Sequence, residues 1–222
     1  MQVRLIQYTP DPERTVAAAA RLCYSPLGAT RILDDLTPHQ VERLLRQVIQ
    51  TGHHSVLEHA SFTFALEGIS RVTSHQLVRH RLASYSQQSQ RYVTYDHLEY
   101  VTPPAIAADA ELQARYDAAM RAAHALYISL QEAGIDKEDS RYVLPNATAT
   151  NLVVTMNARE LRHFFTLRCC NRAQWEIRAM AQAMRRAVRS VAPVLFEDAG
   201  PACWRGPCPE GVLSCGHPPE RD

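Results

Sequence analysis

Lysine is almost absent from this chain. Of its 24 basic side chains only Lys137 is a lysine, and it sits in the charged run Asp136-Lys137-Glu138-Asp139, an exposed kind of setting. Schiff-base chemistry needs a lysine desolvated in a pocket, so this position argues against it. Excess charge of either sign is also missing. The 24 basic and 23 acidic residues leave a formal net charge of +1, which argues against a general binder of polyanions. No apolar run approaches the length needed to cross a bilayer. The opening Met1-Gln2-Val3-Arg4-Leu5-Ile6 lacks the apolar core of a secretory signal. A cytoplasmic location is therefore expected, with Cys23, Cys169, Cys170, Cys203, Cys208 and Cys215 mostly reduced. There is no Gly-x-Gly-x-x-Gly, so a Rossmann turn is not the holder of any dinucleotide. There is no internal repeat, low-complexity segment or linker.

What is present fits one sizeable core in 222 residues, or a large domain with an appended subdomain. Val3 to Tyr8 reads as a strand. Asp11 and Pro12 form the start signal of a helix running to about Cys23, and Ser25 to Gly28 reads as a turn. Thr37-Pro38 opens a second helix with Val41, Leu44, Leu45, Val48 and Ile49 on one face, stopped at Thr51-Gly52. Ser61 to Glu67 reads as a strand, and Ser70 as the cap of a helix through Arg81. Tyr95 to Val101 reads as a short strand. Ala105 to Ala133 is the longest helical run, with Leu112, Tyr116, Met120, Leu126 and Leu130 as its apolar stripe. Asn151 to Met156 reads as a strand, Asn157 caps a helix, and a long helix starts after Ala173 and reaches about Val191.

One stretch is a poor core builder. Arg79-His80-Arg81-Leu82-Ala83-Ser84-Tyr85-Ser86-Gln87-Gln88-Ser89-Gln90-Arg91-Tyr92 is dense in hydroxyls, amides and arginines, all costly to bury without partners. The arginine fork suits phosphate, so the run reads either as a cradle for a phosphorylated ligand or as a solvated loop. A second stretch, His53-His54-Ser55-Val56-Leu57-Glu58-His59, raises the question of a metal. Its spacing is not His-Glu-x-x-His, and although His54 and Glu58 are one helical turn apart, a capped helix start is the preferred reading. In the tail, Cys203, Cys208, Cys215 and His217 could fill a tetrahedral zinc site. No tight Cys-x-x-Cys pair is present, and a loop-rich tail without metal is expected.

The complete Arg79-His80-Arg81, seven residues, Ser89 pattern resembles the signature of the flavin-dependent thymidylate synthases. Gly52-His53 with Glu58-His59, Arg141 before Leu144-Pro145, Asn157 to Phe165, and Ala173 to Arg178 are similar to other segments of that family, so the resemblance runs to about Phe196. It implies an α+β fold, a small mixed sheet with several long helices of the thymidylate synthase-complementing protein type. It implies a homotetramer with inter-subunit active sites, formed by residues 1–197, with residues 198–222 as a Cys/Pro/Gly-rich tail. The implied reaction is reductive methylation of dUMP to dTMP. FAD is the implied cofactor, with methylenetetrahydrofolate and NADPH as co-substrates.

Carried onto this chain, the resemblance makes Arg168 catalytic and in contact with the pyrimidine. It assigns dUMP to Gln76, Arg79, Gln87, Gln88, Ser89, Arg91, Arg141 and Arg168, with Arg141 reaching the phosphate from a neighbouring subunit. It assigns FAD to His53, Ser55, Glu58, Arg79, His80, Arg81, Asn157, Arg159 and His163. Gln87 stands where some relatives carry glutamate, and His163 where some carry asparagine. Cys169-Cys170 lacks the Pro-Cys-x-Gln-like setting of a cysteine nucleophile, consistent with a route that forms no cysteine adduct. Two further readings stay open: a flavoenzyme alkylating another uridine-type nucleotide, and a non-catalytic nucleotide- or RNA-binding protein. The balanced charge and the lack of an aromatic platform argue against RNA, and no nucleic-acid or membrane partner is expected.

Overall fold

A computed structural model describes residues 1–221; Asp222, the last residue of the expected tail, lies outside the described residues. Strand β1 (Gln2–Tyr8) is followed by Asp11 in left-handed backbone, φ 44°. Its carboxylate accepts the Arg14 N–H, and Pro12 opens helix α1 (Pro12–Leu22) where a missing donor does no harm. Helix α2 (Ala29–Asp35) was not legible in the sequence, because Ile32 is its one buried residue and makes no stripe. Helix α3 (Pro38–Thr51) carries a full capping box, Thr37 with Gln40, and buries Val41, Leu45 and Val48. It ends on Gly52 at φ 76°, a conformation that a Cβ would strain.

Strand β2 (Ser61–Ser70) alternates buried Phe62, Phe64 and Leu66 with half-exposed neighbours. Helix α4 (Arg71–Leu77) begins under the expected Ser70 cap but stops at Leu77, short of Arg81. Strand β3 (Ala83–Gln87) then occupies part of the hydroxyl-rich run. None of its residues is buried, so no apolar alternation announced it. The expected strand at Tyr95 to Val101 is reduced to one bridge between Tyr100 and Thr148. The expected single long helix is two, α5 (Pro104–Ala107) and α6 (Ala110–Glu132), because the Asp109 carboxylate accepts the Glu111 and Leu112 N–H groups and starts α6 afresh. The stripe proposed for it is mostly unburied: Leu112 and Leu126 are 45% and 48% exposed, and Met120 and Tyr127 carry the contact. Then come α7 (Lys137–Ser140), β4 (Ala149–Asn157), α8 (Ala158–Arg168) and α9 (Trp175–Val191).

The four strands form one sheet in the order β1-β2-β4-β3. It is antiparallel, which corrects the expectation of a mixed sheet. Thr9 at the end of β1 donates its N–H to the Ser61 carbonyl at the start of β2, 2.9 Å. Along β2 and β4, Thr63 meets Thr155 (Oγ1–Oγ1 2.9 Å), while Gly68 N–H meets Asn151 Oδ1 (3.0 Å). At the other edge Gln88 N–H meets the Asn151 carbonyl. A parallel pair would need a crossover that carries the chain back to the strand's starting end; here α1, α2 and α3 return it to the end it left.

The chain divides into two compact units. The first comprises Met1–Gln2, Leu66–Arg79 and Tyr85–Val153; its core includes Ile69, Leu77, Met120 and the edge-on pair Tyr95 and Tyr127. The second comprises Val3–Ala65, His80–Ser84 and the described residues from Val154 onward. Its core is aromatic: Phe196 stands edge-on to Phe62 (5.3 Å between centroids) and to Phe165 (6.0 Å), and Met180 and Met184 of α9 are also buried in this unit. Each buried phenylalanine stabilises by about 2–3 kcal/mol relative to exposure. The tail packs in this second unit. The Trp204 ring lies over Gly200, where an added Cβ would sit 2.2 Å from it, and the Arg185 guanidinium stacks 4.6 Å from the ring centroid. Among the described residues no helix is long and apolar enough to cross a membrane.

Candidate functional site

In the second unit the histidine of Arg79-His80-Arg81 is buried, 5% exposed, between two charged partners. Its Nδ1 lies 3.2 Å from Glu160 Oε1. On the other side of the ring, Arg168 Nε donates to His80 Nε2 at 3.1 Å. The Phe164 ring stands edge-on to the imidazole at 4.9 Å, and His163 at 6.2 Å. Helix α8 sets this arrangement. Asn157 accepts the Glu160 N–H and starts the helix, which then delivers Glu160, His163, Phe164 and Arg168. Burial, then the Arg168 charge, then His163, lower the His80 pKa to about 4. Burial raises Glu160, against a smaller downward pull from His163, and burial lowers Arg168. His80 is therefore a neutral ring at pH 7, and its contact with Glu160 is a hydrogen bond rather than an ion pair.

Beside this cluster, Arg159 Nη1 reaches Glu58 Oε1 at 2.6 Å, joining the residue after the α8 start to the 3-10 turn His54–His59. That turn is not α-helical, so His54 and Glu58 do not share a face: His54 Nε2 stands against the Ile49 carbonyl, and Glu58 is given to Arg159. His53, Ser55, Arg81 and His163 are exposed in the same unit.

The first unit holds the nucleotide candidates other than Arg168. Gln87 Nε2 donates to Thr150 Oγ1 (3.2 Å), and Gln88 Oε1 accepts from Asn151 Nδ2 (3.3 Å), so β3 and its exit are pinned to β4 by side chains. Ser89 Oγ accepts the Arg91 N–H at 3.1 Å, a tight local turn. Arg91 Nη2 is 2.7 Å from Glu138 Oε2, and Arg141 Nε donates to the Glu138 carbonyl at 2.9 Å. Arg91 and Arg141 thus converge on one residue of the same chain. Gln76 is half-buried near the end of α4, while Arg79 lies past it and is exposed. Because α4 ends at Leu77, Gln76 is helical while Arg79 and His80 lie beyond the helix that was expected to reach Arg81. Glu160 and Glu138 were missed by sequence reasoning. Glu160 follows Asn157 at capping spacing, which suggests only a helix start.

A family model described as thymidylate synthase complementing protein matches residues 4–194. The chain belongs to this family. Among similar members, the protein named flavin-dependent thymidylate synthase in Geobacter sulfurreducens is 55% identical, covering 97% of this chain and 94% of the relative. One of the same name in Clostridium tetani is 47% identical over 97% and 93% of the two chains. One in Pyrococcus horikoshii is 44% identical over 96% and 91%. The thymidylate synthase complementing family match stops before the tail. There, Asn171 Nδ2 donates to the His217 carbonyl and Arg172 pairs with Glu210, both at 2.6 Å, tying the loop after α8 to residues 210–217. Among the described residues no group of three or more His, Cys, Asp or Glu side chains is placed to hold a metal ion.

Proposed function

We propose that this chain catalyses the reductive methylation of dUMP to dTMP, taking the carbon from methylenetetrahydrofolate and using FAD with NADPH as reductant. The observation that carries the reading is the near-full-length match to relatives named flavin-dependent thymidylate synthase, with Arg79-His80-Arg81 and Ser89 at the family's spacing. The donor set fits a flavin dinucleotide without a Rossmann turn. Arg79, Arg81 and Arg159 offer charge for a pyrophosphate, while His53, Ser55, Asn157 and His163 offer hydrogen-bonding groups. Glu58 and neutral His80 order this set. When bound, the flavin supplies the hydride.

Arg168 faces the pyrimidine and stabilises the negative charge that develops as C5 attacks the carbon donor, a fixed cation acting where charge appears. Its Nε donates to His80, which fixes the plane of the guanidinium. Arg91 and Arg141 hold the phosphate, displacing the Glu138 carboxylate, with Gln76, Arg79, Gln87, Gln88 and Ser89 fixing the nucleotide. Ser89 positions substrate. Among the described residues its hydroxyl bonds the Arg91 N–H, and no His–Asp pair attends it. The active form is a cytoplasmic homotetramer with sites shared between subunits, and residues 198–222 are an appended tail.

The test is an anaerobic absorption spectrum of the purified protein with NADPH, with and without dUMP, followed by turnover of Arg168→Ala. Flavin bands bleach with NADPH at a rate that dUMP changes. The variant keeps its flavin and loses at least about a hundredfold in kcat, the range for removing one preorganised electrostatic contact. Full turnover in Arg168→Ala refutes the assignment, and a protein that takes up no FAD refutes the enzyme.

A further inference from the structure

His80 Nε2 accepts a hydrogen bond from Arg168 Nε, an atom that can only donate. A neutral imidazole carries one proton, so here that proton must reside on Nδ1. Nδ1 faces Glu160 Oε1 at 3.2 Å, an acceptor whether the acid is ionised or not. Exchanging the tautomer would set two N–H groups against each other at Arg168. Glu160 is thus the group that selects the tautomer Arg168 needs. Burying a carboxyl group at 5% exposure costs stability unless it is well paired, and an apolar side chain could fill the same space. A capping role does not account for it either, since the Glu160 carboxylate is turned to His80 from a position where a glutamate commonly reaches back to the helix start.

We propose that Glu160 is a positioning residue for Arg168, acting through His80: it holds the Nδ1–H tautomer, and the ring in turn fixes the guanidinium. The groups facing the ring agree with this. Glu160 lies on one side, Arg168 on the other, with Phe164 and His163 packed edge-on. The role rests on the reading of Arg168 given above, but the hydrogen-bond chain can be tested without it.

Glu160→Ala removes the acceptor and frees the tautomer. The expected result is a fall in kcat of about tenfold or more, with flavin content kept, because small displacements of a reacting group are costly. Glu160→Gln retains a carbonyl acceptor and stays close to the parent. Adding Glu160→Ala to Arg168→Ala has little further effect, whereas a purely structural role would add its own loss. Parental kcat in Glu160→Ala, or an additive double variant, overturns the proposal. Should Glu160→Ala fail to fold, the imidazole 15N spectrum of His80 in the unsubstituted protein still decides. A proton on Nδ1 supports the chain, and a proton on Nε2 overturns it. If instead Arg168→Ala keeps full turnover while the tautomer is as expected, the functional reading of Arg168 fails and the positioning geometry stands.

Discussion

At neutral pH His80 carries no charge, and that has a consequence for stability. Its folded pKa of about 4 lies below the ordinary histidine value of 6.5, so the unfolded chain binds the proton more readily. The contribution of His80 to stability is complete above 6.5 and is lost as pH falls toward 4. Denaturant melts across that window should show a steeper loss for the parent than for His80→Gln. The raised Glu160 pKa acts with the opposite sign and is common to both proteins. A second residue-scale expectation concerns Glu138. Its ion pair with Arg91 is about half exposed and worth little to folding. Glu138→Gln should leave the melting temperature nearly unchanged and lower the KM for dUMP by freeing Arg91; an unchanged KM would show that the carboxylate does not compete with phosphate. Among the thiols, burial first and then the neighbouring Cys170, Cys208 and Cys215 push Cys203 up. Alkylation followed by peptide mapping should therefore modify exposed Cys23 well before Cys203.

The elements owe their ends to single side chains. Helix α8 begins at Asn157 because its side chain takes the Glu160 N–H, and Asn157→Ala should cost about 1 kcal/mol in a denaturant melt. The same change should loosen Glu160 and Arg168, so turnover should fall more than stability alone explains. Helix α4 and strand β3 abut in sequence because the chain turns after Leu77, whose carbonyl accepts the Tyr85 hydroxyl at 2.9 Å. A helix continued to Arg81 would keep His80 on a helical face. The turn instead releases it to pair with α8, which is how a polar, unpatterned run yields a buried site residue.

For the whole molecule, the tail belongs to the second unit's packing. Arg185 is 2% exposed and donates to the Ala199 carbonyl while stacking on Trp204. Trp204→Ala should destabilise by about 2 kcal/mol, through the lost stacking and the cavity beneath it. A melting temperature equal to the parent's would mean the tail is a passive appendage. Unfilled apolar surface on α6, where Leu112 and Leu126 are about half exposed, is consistent with assembly of several chains. The mass of the flavin-loaded protein in solution measures the proposed tetramer directly.

The sequence by itself determined the family and several of the helix starts. Caps at Asp11, Thr37, Ser70 and Asn157 are short-range hydrogen bonds, and short-range physics is legible in a string. The strands with buried alternation, β2 and β4, were legible for the same reason. Strand β3 was not, since nothing in Ala-Ser-Tyr-Ser-Gln alternates toward a core and only pairing with β4 makes it a strand. Helix α2 hid behind its single buried residue. The tertiary structure alone decided that Glu160, 80 residues from His80, selects the state of that ring. It also decided that Glu138 stands between Arg91 and Arg141. Both are long-range or turn-dependent meetings of polar groups, and their energies depend on burial and distance, which residue order does not encode.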